Sequence, residues 1–138
     1  MKLLIDTNVV LDILLKREPF YKDAAELLNL SRREYVQEYV SASAITDIYY
    51  IANRQIKDRG AVRELLERLL TVVSVAAVSE REIQNALSLE WKDFEDSVQY
   101  SVALLSEMDA IVTRNPDDYR QASVRVFMPK QILAELNS

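Results

Sequence analysis

Five short apolar runs, separated by stretches of helical periodicity, constrain this chain more than any other feature. Lys2–Ile5, Tyr39–Ala42, Thr71–Ala76, Asp109–Thr113 and Val124–Phe127 read as strands. Between the first two, Val9–Leu15 has helical spacing and is closed by Pro19, and Phe20–Leu30 carries Ala24, Leu27 and Leu28 on one face. Ser43 predicts the cap of a helix through Ile45, Ile48, Tyr49, Ala52 and Ile56, with Gly60 at its end. Ala61–Leu70 follows with Val62, Leu65, Leu66 and Leu69 in register. Ser79 and Glu82 predict a capping box for a helix to Leu89, and Asp93 predicts the cap of a helix carrying Val98, Val102 and Leu105. Asn115–Asp118 reads as a turn, and Pro129 opens a last helix. Strands alternating with helices predict an α/β fold with a largely parallel sheet, whose ligands bind beyond the carboxyl ends of the strands. With 138 residues and no linker, repeat or low-complexity tract, residues 1–138 read as one domain.

Composition then removes most chemistries. The chain has no cysteine and no histidine, so thiolate or imidazole metal sites and His-dependent triads are excluded. Its single glycine, Gly60, excludes Gly-rich phosphate cradles. What remains is oxygen chemistry, and carboxylates suit hard cations such as Mg²⁺ and Mn²⁺. A net charge of −5 disfavours a general nucleic-acid coat, though not an enzyme that meets nucleic acid through a metal. No apolar run approaches the roughly 20 residues that span a bilayer, and the N-terminus is too brief for a signal peptide, so no membrane and a cytoplasmic location are expected.

The polar residues at predicted strand ends form the candidate site. Asp6, with Thr7 and Asn8, directly follows the first strand. Asp47 lies early in the helix after the second, and Tyr50, Ile51 and Arg54 follow it at helical spacing. Asp96 falls three residues after the cap Asp93. Thr113, Arg114 and Asn115 follow the fourth strand, with Asp117 and Asp118 behind them. Each position alone reads as well as a helix cap or a polar turn. A parallel sheet would gather all of them on one edge. Two carboxylates there at roughly 4 Å repel by about 4 kcal/mol at an effective dielectric near 20, which a divalent cation or a shifted pKa relieves.

These motifs resemble the PIN domain family of metal-dependent nucleases. The resemblance runs through Leu4-Ile5-Asp6-Thr7-Asn8-Val9, Ser43-Ala44-Ile45-Thr46-Asp47-Ile48-Tyr49, Asp93 to Ala103, and Ala110 to Tyr119, in order and across nearly the whole chain. It is greatest to the small, free-standing bacterial members, many of them toxins of toxin–antitoxin pairs. The resemblance implies a three-layer α/β/α sandwich with a five-stranded parallel sheet in the order 3-2-1-4-5. It implies Mg²⁺ or Mn²⁺ held by Asp6 and Asp96, with Asp47 completing the acidic set, and Thr7, Asn8, Thr113 and Asn115 supporting these ligands. Two departures stand out. Asp47 occupies a position that is more often Glu, and Asn115 one that is often Asp.

The function expected is metal-assisted hydrolysis of RNA phosphodiesters, with Arg54 and Arg114 meeting phosphate oxygens. RNA is the expected substrate, an antitoxin protein the expected partner and a homodimer the expected assembly. Apolar residues of the early helices, Phe20, Tyr21 and Leu28, would lie under such an interface. The alternative is a catalytically weak or inactive PIN-like module that binds nucleic acid or protein. A phosphoacceptor receiver domain fits poorly, because no Lys follows the fourth strand.

Overall fold

The computed structural model describes residues 1–137. In chain order the elements are β1 (Lys2–Ile5), α1 (Thr7–Leu14), α2 (Tyr21–Asn29), β2 (Gln37–Ser41), α3 (Ala42–Ile56), α4 (Arg59–Leu69), β3 (Ser74–Ala76), α5 (Glu80–Leu89), α6 (Phe94–Leu105), β4 (Ala110–Val112), β5 (Arg125–Phe127) and α7 (Pro129–Asn137). Two 3₁₀ turns, Leu30–Arg32 and Pro116–Tyr119, join them. The sheet has five strands in the order β3-β2-β1-β4-β5, every pairing parallel, as expected.

The central strand shows why. Leu3, Leu4 and Ile5 are all fully buried, as a strand covered on both faces must be. Alternation sends Leu3 and Ile5 into one core with Val9, Leu27, Val40, Ala44, Ile48, Val62, Val112 and Ile132, which packs α1 to α4 and α7 on that face. Leu4 enters the other core with Ala86, Val98, Val102, Ile111 and Tyr119, which packs α5 and α6 opposite. Three layers result.

Local chemistry departs from the expected boundaries in three places. β2 ends at Ser41, and Ser41 rather than Ser43 caps α3 by accepting the Ala44 N–H at 3.2 Å. α3 ends on Lys57 in the left-handed region (φ 58°), and Gly60 lies in the first turn of α4, which Asp58 caps. β3 is only three residues long, because Leu70 to Val73 still bond back to α4 as turns. The Ser79–Glu82 capping box and the Asp93 cap form as expected, with Ser79 N to Glu82 Oε1 at 3.1 Å and Asp96 N to Asp93 Oδ1 at 3.0 Å.

Candidate active site

Asp6 is the last residue before the chain turns from β1 into α1. Its N–H still donates to Val112 O of β4 at 2.9 Å, which fixes it to the sheet edge, while its side chain caps α1. Asp6 Oδ1 accepts the Thr7 N–H at 2.7 Å and the Gln99 Nε2–H at 3.0 Å, and Oδ2 accepts the Thr113 hydroxyl at 2.8 Å. The residue is 7% exposed. Burial raises its pKa, and the hydrogen bonds from Thr113, Thr7, Gln99 and Tyr119 oppose that rise by favouring the anion.

Three further carboxylates converge on this edge. Asp96, in the first turn of α6, is half-buried and accepts the Tyr119 hydroxyl on Oδ1 at 3.3 Å. Burial first, then the charges of Asp93, Asp6 and Asp118, push its pKa up to about 7. Its neighbour Glu95 accepts the Thr7 hydroxyl at 3.3 Å. Glu95 also faces Asp47 of α3, whose carboxyl disfavours its anion. Burial, then Asp47, then a smaller contribution from Asp6 raise Glu95 to about 7. Like charges crowded in partial burial hold protons near neutrality, and a cation would displace them.

The remaining expected residues divide. Thr113 is fully buried on Asp6 and accepts the Asn115 N–H at 3.1 Å, while Asn115 itself is exposed. Asn8 Oδ1 accepts the Arg114 N–H at 3.5 Å, at the limit of a hydrogen bond. Arg114 is not turned to a free phosphate position. Its Nε lies 3.0 Å from buried Asp12 Oδ2, and its guanidinium stacks 4.0 Å over the Phe20 ring. Arg54 is exposed two turns beyond Asp47 on α3.

Glu95, Gln99 and Tyr119 escape the sequence reading. Glu95 sits between Phe94 and Asp96, where a helix start favours any acid. Gln99 carries a faint signal: a Gln inside the apolar Val98 to Ala103 face, three residues after Asp96, is out of place unless it has a polar partner. Tyr119 carries none, because its contact depends on tertiary structure. Beside Asp96 opens a cleft of about 500 Å³, bordered by Trp91, Lys92, Asp93, Asp118 and Arg120.

The donor set suits a hard divalent cation in kind. Among the described residues no three carboxylates stand close enough to cage an ion unaided. Mg²⁺ asks for less, typically one or two carboxylates with waters and substrate phosphate completing the shell. Asp6 and Asp96, which both face the Tyr119 hydroxyl, meet that lower requirement.

Comparison with known proteins agrees with the fold. The family model described as PIN domain matches residues 2–117. None of the curated protein sequences matches the chain. Among solved structures, the chain resembles one in VapBC2 from Rickettsia felis bound to a DNA fragment from their promoter, with TM-score 0.70, 17% identity, and 92% of this chain and 97% of that chain covered. A toxin–antitoxin complex from Klebsiella pneumoniae gives TM-score 0.69 at 19% identity, covering 91% and 96%. VapC20 from Mycobacterium tuberculosis, described as a sarcin-ricin loop cleaving toxin, gives 0.63 at 18%, covering 79% and 86%.

Proposed function

This chain belongs to the PIN domain family, and from that premise we propose that it is a Mg²⁺- or Mn²⁺-dependent endoribonuclease that hydrolyses single-stranded or loop RNA. The observation that carries the reading is the convergence of Asp6, Asp47, Glu95 and Asp96 on one sheet edge, with Asp6 buried yet supplied with donors that favour its anion. Asp6 and Asp96 would hold the cation. Asp47, facing Glu95, would orient the attacking water. When bound, the cation supplies an activated water and neutralises charge on the scissile phosphate. The chain's own contribution is rigidity: Thr7, Gln99 and Thr113 lock the Asp6 carboxylate, so little reorganisation remains when the phosphate arrives. Arg54, exposed beyond Asp47, would meet the RNA backbone, and Arg114 would brace the loop after β4 through Asp12.

The structures it resembles include toxin–antitoxin complexes and a loop-cleaving toxin, which supports a toxin role restrained by an antitoxin. The same reading has it act on RNA in the cytoplasm, as a homodimer. No helix among the described residues is long and apolar enough to cross a membrane. The test is RNA cleavage with Mn²⁺ or Mg²⁺ against EDTA, wild type beside Asp96→Asn. Cleavage that needs the cation and is lost in the variant supports the reading. Cleavage undiminished in EDTA overturns it. RNA binding without cleavage would mark the inactive binding module instead.

A further inference from the structure

Tyr119 closes the 3₁₀ turn Pro116–Tyr119 and is 1% exposed. Its ring is held from behind. Trp91 meets it edge-on, with centroids 6.3 Å apart and planes at 72°, and Trp91 in turn stacks on Tyr100 at 4.9 Å. The Tyr100 hydroxyl is fastened to the Ser123 hydroxyl at 2.8 Å and accepts the Ser123 N–H at 3.3 Å. Three aromatic rings therefore fix where the Tyr119 oxygen lies.

A buried phenol oxygen is costly without a partner. The partners it has here are two acids: it donates to Asp96 Oδ1 at 3.3 Å and interacts with the Asp6 carboxylate. Phenylalanine would fill the same apolar volume without placing a hydroxyl between them. The two carboxylates depend on it unequally. Asp6 has its three other donors, whereas the Asp96 carboxylate receives its side-chain hydrogen bond from Tyr119.

We propose that Tyr119 is a positioning residue: clamped by Trp91, its hydroxyl sets the spacing and orientation of the Asp6 and Asp96 carboxylates and preorganises the pair for a divalent cation. This rests on the metal-site reading above. Outer-shell partners of this kind shift metal affinity by about 10–100-fold when removed, because the freed carboxylate must be reordered on binding.

The test compares wild type, Tyr119→Phe and Trp91→Leu. Thermal melts are run in EDTA and across a Mn²⁺ titration, and the Mn²⁺ concentration for half-maximal RNA cleavage is measured alongside. In Tyr119→Phe the Mn²⁺ midpoint should rise about tenfold or more in both assays, while the EDTA melt moves little. Trp91→Leu, which keeps the hydroxyl and loosens its clamp, should raise the midpoint by a smaller factor. An unmoved midpoint in Tyr119→Phe overturns the positioning role while leaving the metal site standing. So does a lowered EDTA melt with no change in midpoint, which would make the hydroxyl merely structural. A wild type that responds to Mn²⁺ in neither assay overturns the metal site and this inference together.

Discussion

Asp6 and Glu38 lie on neighbouring strands and are almost equally hidden, at 7% and 3% exposed. Asp6 stands at the carboxyl end of the sheet, with donors on both oxygens. Glu38, paired in register with Leu3 near the other end of β2, has no hydrogen-bond partner on either oxygen. Burial raises both, and with nothing to oppose it Glu38 is pushed up to about 8. Depth alone therefore does not decide whether a buried carboxyl is an anion that can bind. Donors separate the two. One end of the sheet carries a carboxyl whose anion its hydrogen bonds favour against burial, and the other a carboxyl that burial, unopposed, pushes toward its neutral form.

The comparison breaks most visibly at Asp6. Asp6→Asn keeps its shape: Oδ1 still accepts from Thr7 and Gln99, and the new amide can donate to the Thr113 oxygen. Cleavage should fall by about a hundredfold or more, since a ligand is lost rather than a support. In EDTA the variant should melt higher by roughly 2–6 °C, about 1 kcal/mol after screening, because one crowded charge is gone. The Mn²⁺-induced rise expected of wild type should disappear. A variant that Mn²⁺ stabilises as much as wild type would show that Asp6 is only a helix cap.

Glu38→Met sharpens the comparison from the other side. It replaces two unpartnered oxygens with an apolar chain of similar length. Stability at pH 7 should rise by roughly 1–2 kcal/mol, with cleavage and the Mn²⁺ response unchanged. The gain should widen as pH rises from about 4.5 to about 8 and level off above it. A folded pKa raised from 4.5 to about 8 means the native state keeps a proton that the unfolded chain has lost, so wild-type stability drains as pH rises through that window. A variant less stable than wild type at pH 9 would mean that Glu38 has a partner after all.

The smallest effect is the pH dependence of the site itself. Asp96 and Glu95 are each raised to about 7, so the metal-free protein loses stability as pH climbs from about 4 through 7. Discounted for their partial exposure, the two together amount to about 0.5–1 kcal/mol, or roughly 1–4 °C. Glu82 runs the opposite way: its capping-box bonds lower it, and its stabilisation fades only on acidification below its ordinary value of 4.5. The melt in EDTA should therefore peak near pH 5. Saturating Mn²⁺ should flatten the fall between pH 5 and 7. An equal slope with and without Mn²⁺ would separate these acids from the metal.

The sheet was readable because its strands are short, apolar and divided by helices, so period and punctuation agree. The acidic positions were readable for the same reason: strand ends are visible, and a parallel sheet puts them together. The errors cluster where two local signals compete. Ser41 and Ser43 are both good caps, and pairing of Ser41 with Ala76 in the ladder decides between them. Gly60 looked like a terminator, but Lys57 takes the left-handed position and Asp58 starts the next helix. Arg114 also meets Asp12, which reaches it from α1 and which nothing nearby in sequence announces. Gln99 and Tyr119 act on Asp6 and Asp96 through folded geometry, which periodicity does not encode.

The parallel ladder also sets a timetable for synthesis. Asp6 emerges early from the ribosome, yet Gln99 and Thr113, which hold its carboxylate, follow 93 and 107 residues later. Long-range parallel pairing is also slow to form, since the chain must close large loops before β1 finds β4. The nascent chain thus carries its acids for most of translation without the arrangement that would make them a site. The candidate site is in this way completed only when nearly all of the sheet has been made.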